Sequence, residues 1–283
     1  VLMRVADALA LARARGLDRL DAQLLLAHLL QRGRAWLLAH DDDHLAEDSA
    51  RRFVELMGRR RAGEPLAYLT GEREFHGLSL QVSAAVLVPR PETEHLVDWA
   101  LECLADLDAP RVVDLGTGSG AVALALAHAR PDAQVLATDV SAEALDVARA
   151  NAARLAPALQ LAQGSWWQAT DDAVFDLAVS NPPYIAGDDP HLVALQHEPS
   201  CALTPGGNGL SALEQIIDGA RAHLRSGAWL LLEHGHDQGA AVRQRLAAAG
   251  FGSVSTRRDL AGHERCSGGQ VPSATKPPAP ERS

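Results

Sequence analysis

Apolar residues recur at helical spacing through the first sixty residues. Val5, Leu9 and Ala12 mark one face, and Leu24, Leu25, Ala27, Leu29 and Leu30 mark another after Asp18 or Asp21 as N-cap. A short helical turn is predicted over 34–39. A longer helix follows over 46–61, carrying Phe53, Leu56 and Met57 inward until Gly63 and Pro65 stop it. Residues 1–65 therefore read as a small helical bundle. Over 66–88 the period drops to two: Phe75, Leu78, Leu80 and Val82 alternate, with His76-Gly77 where a turn belongs. That segment reads as a β-hairpin linker. A helix over 92–105 comes next, with Glu92 or Thr93 available to cap its start.

From residue 111 onward, short apolar runs alternate with amphipathic stretches. Strands are expected over 111–115, 134–139, 159–163, 175–180, 228–233 and 252–257. Helices are expected over 121–129, 141–153, 210–224 and 238–249, with Ser141 as an N-cap. Such alternation predicts an α/β, doubly wound, Rossmann-like domain spanning 89–265. After Arg265 the composition turns to Gly, Ser and Pro, so 266–283 is expected to be a disordered tail.

At 283 residues and 47% hydrophobic, the chain can build one large core and a smaller one. Its apolar runs are too short to cross a bilayer, and it does not open with a basic-then-apolar leader pattern, so a cytoplasmic protein with no membrane association is expected. Cys103, Cys201 and Cys266 lie far apart and no HExxH occurs among the twelve histidines; no metal site is expected. The net charge of −10, with Lys276 the sole lysine, argues against a direct nucleic-acid substrate.

Candidate chemistry begins at the end of the 175–180 strand, with Asn181-Pro182-Pro183-Tyr184. Neither proline can donate to a ladder, and each holds the residue before it extended. The Asn181 side-chain oxygen and the Pro182 carbonyl thus form a stiff pair of acceptors beside an aromatic ring, suited to an NH2 group on a planar amide or amine. The plain alternative is a proline turn with a capping Asn and a core Tyr. Between the first strand and its helix stands Asp114-Leu115-Gly116-Thr117-Gly118-Ser119-Gly120. Glycines let a ligand approach the backbone, and the helix start offers free N–H groups to an anion. GxGxG is one residue tighter than a dinucleotide loop and suits a single carboxylate. Asp139 ends the second strand, where an acid grips ribose hydroxyls; capping the next helix is its other reading. Trp166 or Trp167 could face an adenine, or either could pack in the core.

Carboxylate, ribose and adenine without phosphates point to S-adenosylmethionine. Beside an acceptor pair, they point to methyl transfer onto a conjugated NH2: adenine N6, guanine N2 or a glutamine amide. The chain also resembles the protein-(glutamine-N5) methyltransferases of peptide-chain release factors (the PrmC/HemK family). The resemblance runs to about Arg265. It is carried by Arg59-Arg60-Arg61 with Gly63-Glu64-Pro65, Gly71 with Arg73-Glu74-Phe75, Val88 to Glu94, Asp114 to Gly120, Asn181 to Ile185, and Leu231-Leu232-Glu233-His234-Gly235. It implies a class I fold in which Gly116, Thr117, Gly118, Gly120, Asp139, Trp166 and Asn181 bind the methyl donor. Asn181, Pro182, Pro183 and Tyr184 would hold the glutamine of a Gly-Gly-Gln tip, with Asn181, Pro182 and Tyr184 serving catalysis. The helical N-terminal domain would dock the release factor. A nucleic-acid amino methyltransferase and a non-catalytic nucleoside-binding protein are the alternatives. Two departures stand out. Ser165 occupies a position that is often acidic in the family. Cys266-Ser267-Gly268-Gly269-Gln270-Val271 replaces an apolar, basic last strand, and its own Gly-Gly-Gln raises the idea of self-methylation.

Overall fold

The computed structural model describes residues 3–273 and divides into two compact units. The first runs up to Arg73 and adds 82–84. It contains α1 (Val5–Ala14), α2 (Arg19–Leu30), α3 (Arg34–Ala39), α4 (Glu47–Arg61) and α5 (Leu66–Thr70). Asp18 caps α2 by accepting from the Leu20 and Asp21 N–H groups. Val5, Leu25, Leu26, Leu37, Phe53 and Met57 are wholly buried in its core. Each such side chain contributes about 1.5–3 kcal/mol. The half-exposed Arg59 fork on Glu64, at 2.6 and 2.8 Å, contributes at most about 1 kcal/mol by comparison. Packing, not ion pairing, holds this unit.

The alternating pattern predicted over 66–88 is only partly realised. Residues 66–70 are the helix α5, and pairing is confined to β1 (Glu72–Phe75) and β2 (Leu78–Gln81). Gly71, left-handed at φ 76°, ends α5 and turns the chain into β1. The division between the units falls inside this hairpin, at Arg73.

The second unit carries α6 (Glu94–Leu104), β3 (Arg111–Leu115), α7 (Ala121–Ala129), β4 (Gln134–Asp139), α8 (Ala142–Leu155), β5 (Gln160–Gln163) and β6 (Phe175–Ser180). It continues through α9 (Ser200–Leu203), α10 (Ser211–His223), β7 (Leu224–Glu233), α11 (Gly239–Ala248), β8 (Gly252–Arg258) and β9 (Glu264–Gln270). Its sheet has the order β5-β4-β3-β6-β7-β9-β8, parallel from β5 to β7 and antiparallel across β9. Strands buried on both faces explain runs such as Val112-Val113 and Leu177-Ala178-Val179. Because the chain returns to pair β6 with β3, the topological switch lies between those two strands, where such sheets bind ligands at their carboxyl ends.

The expected tail is corrected in part. Residues 266–270 belong to β9, paired on both sides; 274–283 lie outside the described residues. Composition misleads here because the neighbours supply the bulk. A Cβ on Gly268 would stand 2.5 Å from Leu231 Cδ2 and 2.9 Å from the Leu230 carbonyl oxygen. Gln270 donates its side-chain amide to the Gly227 carbonyl at 2.9 Å. Strand packing thus accounts for the Gly-Gly-Gln of this chain, and the self-methylation idea loses its basis.

Candidate functional site

Register brings the two motifs together. Asp114 pairs with Val179, so the turn at Gly116 and the Asn181 side chain leave adjacent strands at the same level. Ser180 Oγ donates to the Leu115 carbonyl at 2.6 Å and ties the two strand ends. Above them a cavity is lined by Gly116, Thr117, Gly118, Ser119, Asp139, Ser165, Trp166, Asn181 and Pro183, along with Arg90, Thr93, Asp114 and Val122.

Each wall has a local cause. Thr117 and Gly116 donate their N–H groups to the Thr138 carbonyl at 2.8 and 2.9 Å, which folds the turn back onto β4. Gly120 stands at φ 86°, a left-handed conformation that a side chain would strain, and starts α7 from there. Asp139 accepts from the Gly118 N–H at 2.9 Å and the Ser141 N–H at 3.0 Å, while Ser141 Oγ caps α8 through Ala144. The cap of α8 is Ser141 and not Asp139. Asp139 braces the glycine turn and the helix start together, and each oxygen keeps a lone pair for a hydroxyl. Burial pushes the Asp114 carboxyl up to about 6, against the Thr117 hydroxyl, 2.6 Å away, and the Ala123 N–H that favour its charge.

The two tryptophans separate. Trp167 is buried and donates Nε1 to the Ile216 carbonyl at 2.8 Å, a core role. Trp166 lines the cavity with its backbone at φ 47° and its Nε1 held by Gln215 Oε1 at 3.1 Å. A left-handed backbone on a bulky residue costs about 1–3 kcal/mol, which the surrounding contacts must outweigh. A Cβ at Gly116 would come 3.2 Å from this ring. Only glycine lets the Trp166 ring lie this close to the turn, while Trp166 remains on the cavity wall.

Three of the sequence-predicted site residues stand apart from the cavity wall: Gly120, Pro182 and Tyr184. Gly120 shapes the helix start, Pro182 is buried, and Tyr184 turns its hydroxyl to Glu233 Oε1 at 3.2 Å. Thr93, expected as a helix cap, makes no cap bond. Its Oγ1 accepts from Asn181 Nδ2 at 3.1 Å, which leaves Asn181 Oδ1 available to a donor. Glu233 is 1% exposed and neighbours Thr93. Burial pushes its carboxyl up to about 7 against the Thr93 hydroxyl, Arg265 and the Tyr184 hydroxyl. Sequence reasoning assigns no site role to Thr93 or Glu233; the signals available are the motifs 88–94 and 231–235 that contain them.

Residues 2–71 match the family described as PrmC N-terminal domain, and 97–209 match the methyltransferase small domain. A Burkholderia pseudomallei protein named release factor glutamine methyltransferase is 49% identical over 276 residues, covering 94% of this chain and 97% of its own. An Escherichia coli protein of the same name is 44% identical over 262 residues, covering 92% and 94%. Among solved structures, a methyltransferase from Pyrococcus furiosus shares the fold with a TM-score of 0.53 at 19% identity, over 81% of this chain and 100% of that one.

Proposed function

The chain belongs to the release factor glutamine methyltransferases, and from that premise we infer that it transfers a methyl group from S-adenosylmethionine to the side-chain amide nitrogen of the glutamine in the Gly-Gly-Gln motif of peptide-chain release factors. The observation that carries this reading is the adjacency of Asn181 and the glycine turn around one cavity. The residues fit the donor: the N–H groups at the start of α7 suit its carboxylate, Asp139 its ribose, and Trp166, on the cavity wall, its adenine. When bound, S-adenosylmethionine supplies a methyl group on a positively charged sulfur.

This chain's own part is orientation and electrostatics. A glutamine amide nitrogen is a weak nucleophile because its lone pair is delocalised into the carbonyl. Asn181 Oδ1 accepts one of its N–H bonds and the Pro182 carbonyl the other. Pro183, on the cavity wall, helps hold the substrate side chain, and Tyr184 supports the motif from outside that wall through Glu233. The two acceptors draw the nitrogen out of conjugation and favour the positive charge that develops on it as the new bond forms. Held in line with the departing sulfur, the lone pair needs little further reorganisation. The amide proton leaves to water afterwards, so no general base is assigned. The helical unit of residues 1–65 is assigned to docking the release factor, and 89–265 to the transfer itself.

Radiolabelled methyl transfer tests the assignment, with purified release factor, its tip Gln→Ala variant, DNA and ribosomal RNA as acceptors. Label on the release factor, lost with the tip glutamine, is expected. Label on nucleic acid alone would overturn it.

A further inference from the structure

The parallel register that sets Ser180 beside Leu232 places Asn181 and Glu233 at neighbouring strand ends. A buried carboxylate on the reaction side of a sheet needs a reason. Glu233 Oε1 accepts from Tyr184, while Oε2 is the one buried side-chain polar atom among the described residues that makes no hydrogen bond of good geometry. Of its neighbours, the Thr93 hydroxyl does most to favour its ionised form.

We propose that Glu233, acting through the Thr93 hydroxyl, is the positioning residue that fixes which end of the Asn181 carboxamide faces the substrate. The proposal rests on the glutamine-methylation reading. An Asn carboxamide is nearly symmetric in shape, and only its hydrogen-bond partners distinguish oxygen from nitrogen. A hydroxyl has one proton to give. An ionised Glu233 can only accept; Thr93 Oγ1 already accepts from Asn181 Nδ2 at 3.1 Å, so its own proton is free to turn to the unfilled Glu233 Oε2 and away from Asn181. Asn181 Oδ1 is then the atom left for the incoming NH2. A neutral carboxyl removes this constraint. It can itself donate to Thr93, whose proton becomes free for Asn181 Oδ1; the amide then rotates, and an NH2 group meets the substrate NH2.

The groups facing Glu233 set its titration. The Thr93 hydroxyl, the Arg265 guanidinium and the Tyr184 hydroxyl favour its charge, while burial and Glu92 oppose it. The Cys266 thiol across the β7–β9 pair is kept protonated by its own burial. With the carboxyl raised to about 7, Glu233 is neutral below that pH and ionised above it. Turnover therefore rises with pH through about 7.

Full-length wild type, Glu233→Gln, Thr93→Val and Thr93→Ser are compared for methyl transfer to a purified release factor from about pH 6 to about pH 8.5. Affinity for S-adenosylhomocysteine and the thermal midpoint are measured on each. Glu233→Gln and Thr93→Val should lose roughly 10- to 100-fold in kcat with affinity within about threefold. Thr93→Ser should keep most of the rate, and Glu233→Gln should flatten the pH profile. A wild-type profile without a rise near pH 7, a Glu233→Gln enzyme at full rate, or Thr93→Ser falling as far as Thr93→Val overturns the proposal. If a variant fails to fold, the wild-type profile decides alone. Wild type that leaves the release factor unlabelled at every pH sinks the functional reading itself, a distinguishable failure.

Discussion

Asn181→Ala separates holding the substrate from holding the donor. It deletes the acceptor Oδ1 and the bond from Nδ2 to Thr93, leaving the backbone and both prolines in place. Loss of one preorganised group facing developing charge costs roughly 100- to 1,000-fold in rate, about 2.7–4 kcal/mol. The donor keeps the glycine turn, Asp139 and Trp166, so its Kd should move by less than about threefold, under about 0.7 kcal/mol. Stability loses one hydrogen bond, about 1 kcal/mol, or roughly 2–4 °C in a unit of this size. Single-turnover transfer of radiolabelled methyl reads the first quantity, calorimetric titration the second, and a thermal melt the third. The reasoning fails if Kd rises in step with the loss of rate, because Asn181 would then be part of the donor wall. A fall of roughly 10 °C or more in the melt would likewise mark it as a structural residue.

Two further substitutions probe other parts of the second unit. Trp166→Ala should weaken donor binding about tenfold or more through lost stacking and area, with kcat at saturating donor within about threefold; an unchanged Kd by calorimetry would remove Trp166 from the adenine wall. Gly268→Ala forces a methyl into Leu231 and the Leu230 carbonyl, costing about 1–3 kcal/mol at roughly 2–4 °C of thermal midpoint per kcal/mol, and an unshifted melt would mean that β9 is not packed as described.

What could be read from the sequence follows from where information is local. Apolar runs such as Val112-Val113 mark parallel strands because both faces of the sheet are covered. Asp18 and Ser141 are legible as caps because a cap bonds within three residues of itself. Helix α5, with five residues, is too short for a helical period to emerge from 66–70. Strand β9 is not legible because glycine in isolation signals a loop. Here the missing side chains make room for Leu231 and Phe251, which arrive from elsewhere in the chain.

The same division runs through the site. The glycine turn, Asp139, Asn181 and Trp166 announce themselves because each follows or ends a recognisable strand. Thr93 was hidden by its own address: a hydroxyl at a helix start has an ordinary reading as a cap, and nothing within several residues contradicts it. Its actual partner, Asn181, is 88 positions away. Glu233 was hidden differently, as a lone carboxylate closing the apolar run Leu230-Leu231-Leu232, where a strand meets solvent in most sheets. Only the pairing of Ser180 with Leu232 turns that strand end inward, beside the reacting group. A carboxylate kept there at the cost of its own solvation is hard to explain by stability, since a neutral side chain would pack more cheaply. Its retention makes sense if the charge has work to do on a neighbour, and the neighbour that most favours its charge, Thr93, also lines the cavity.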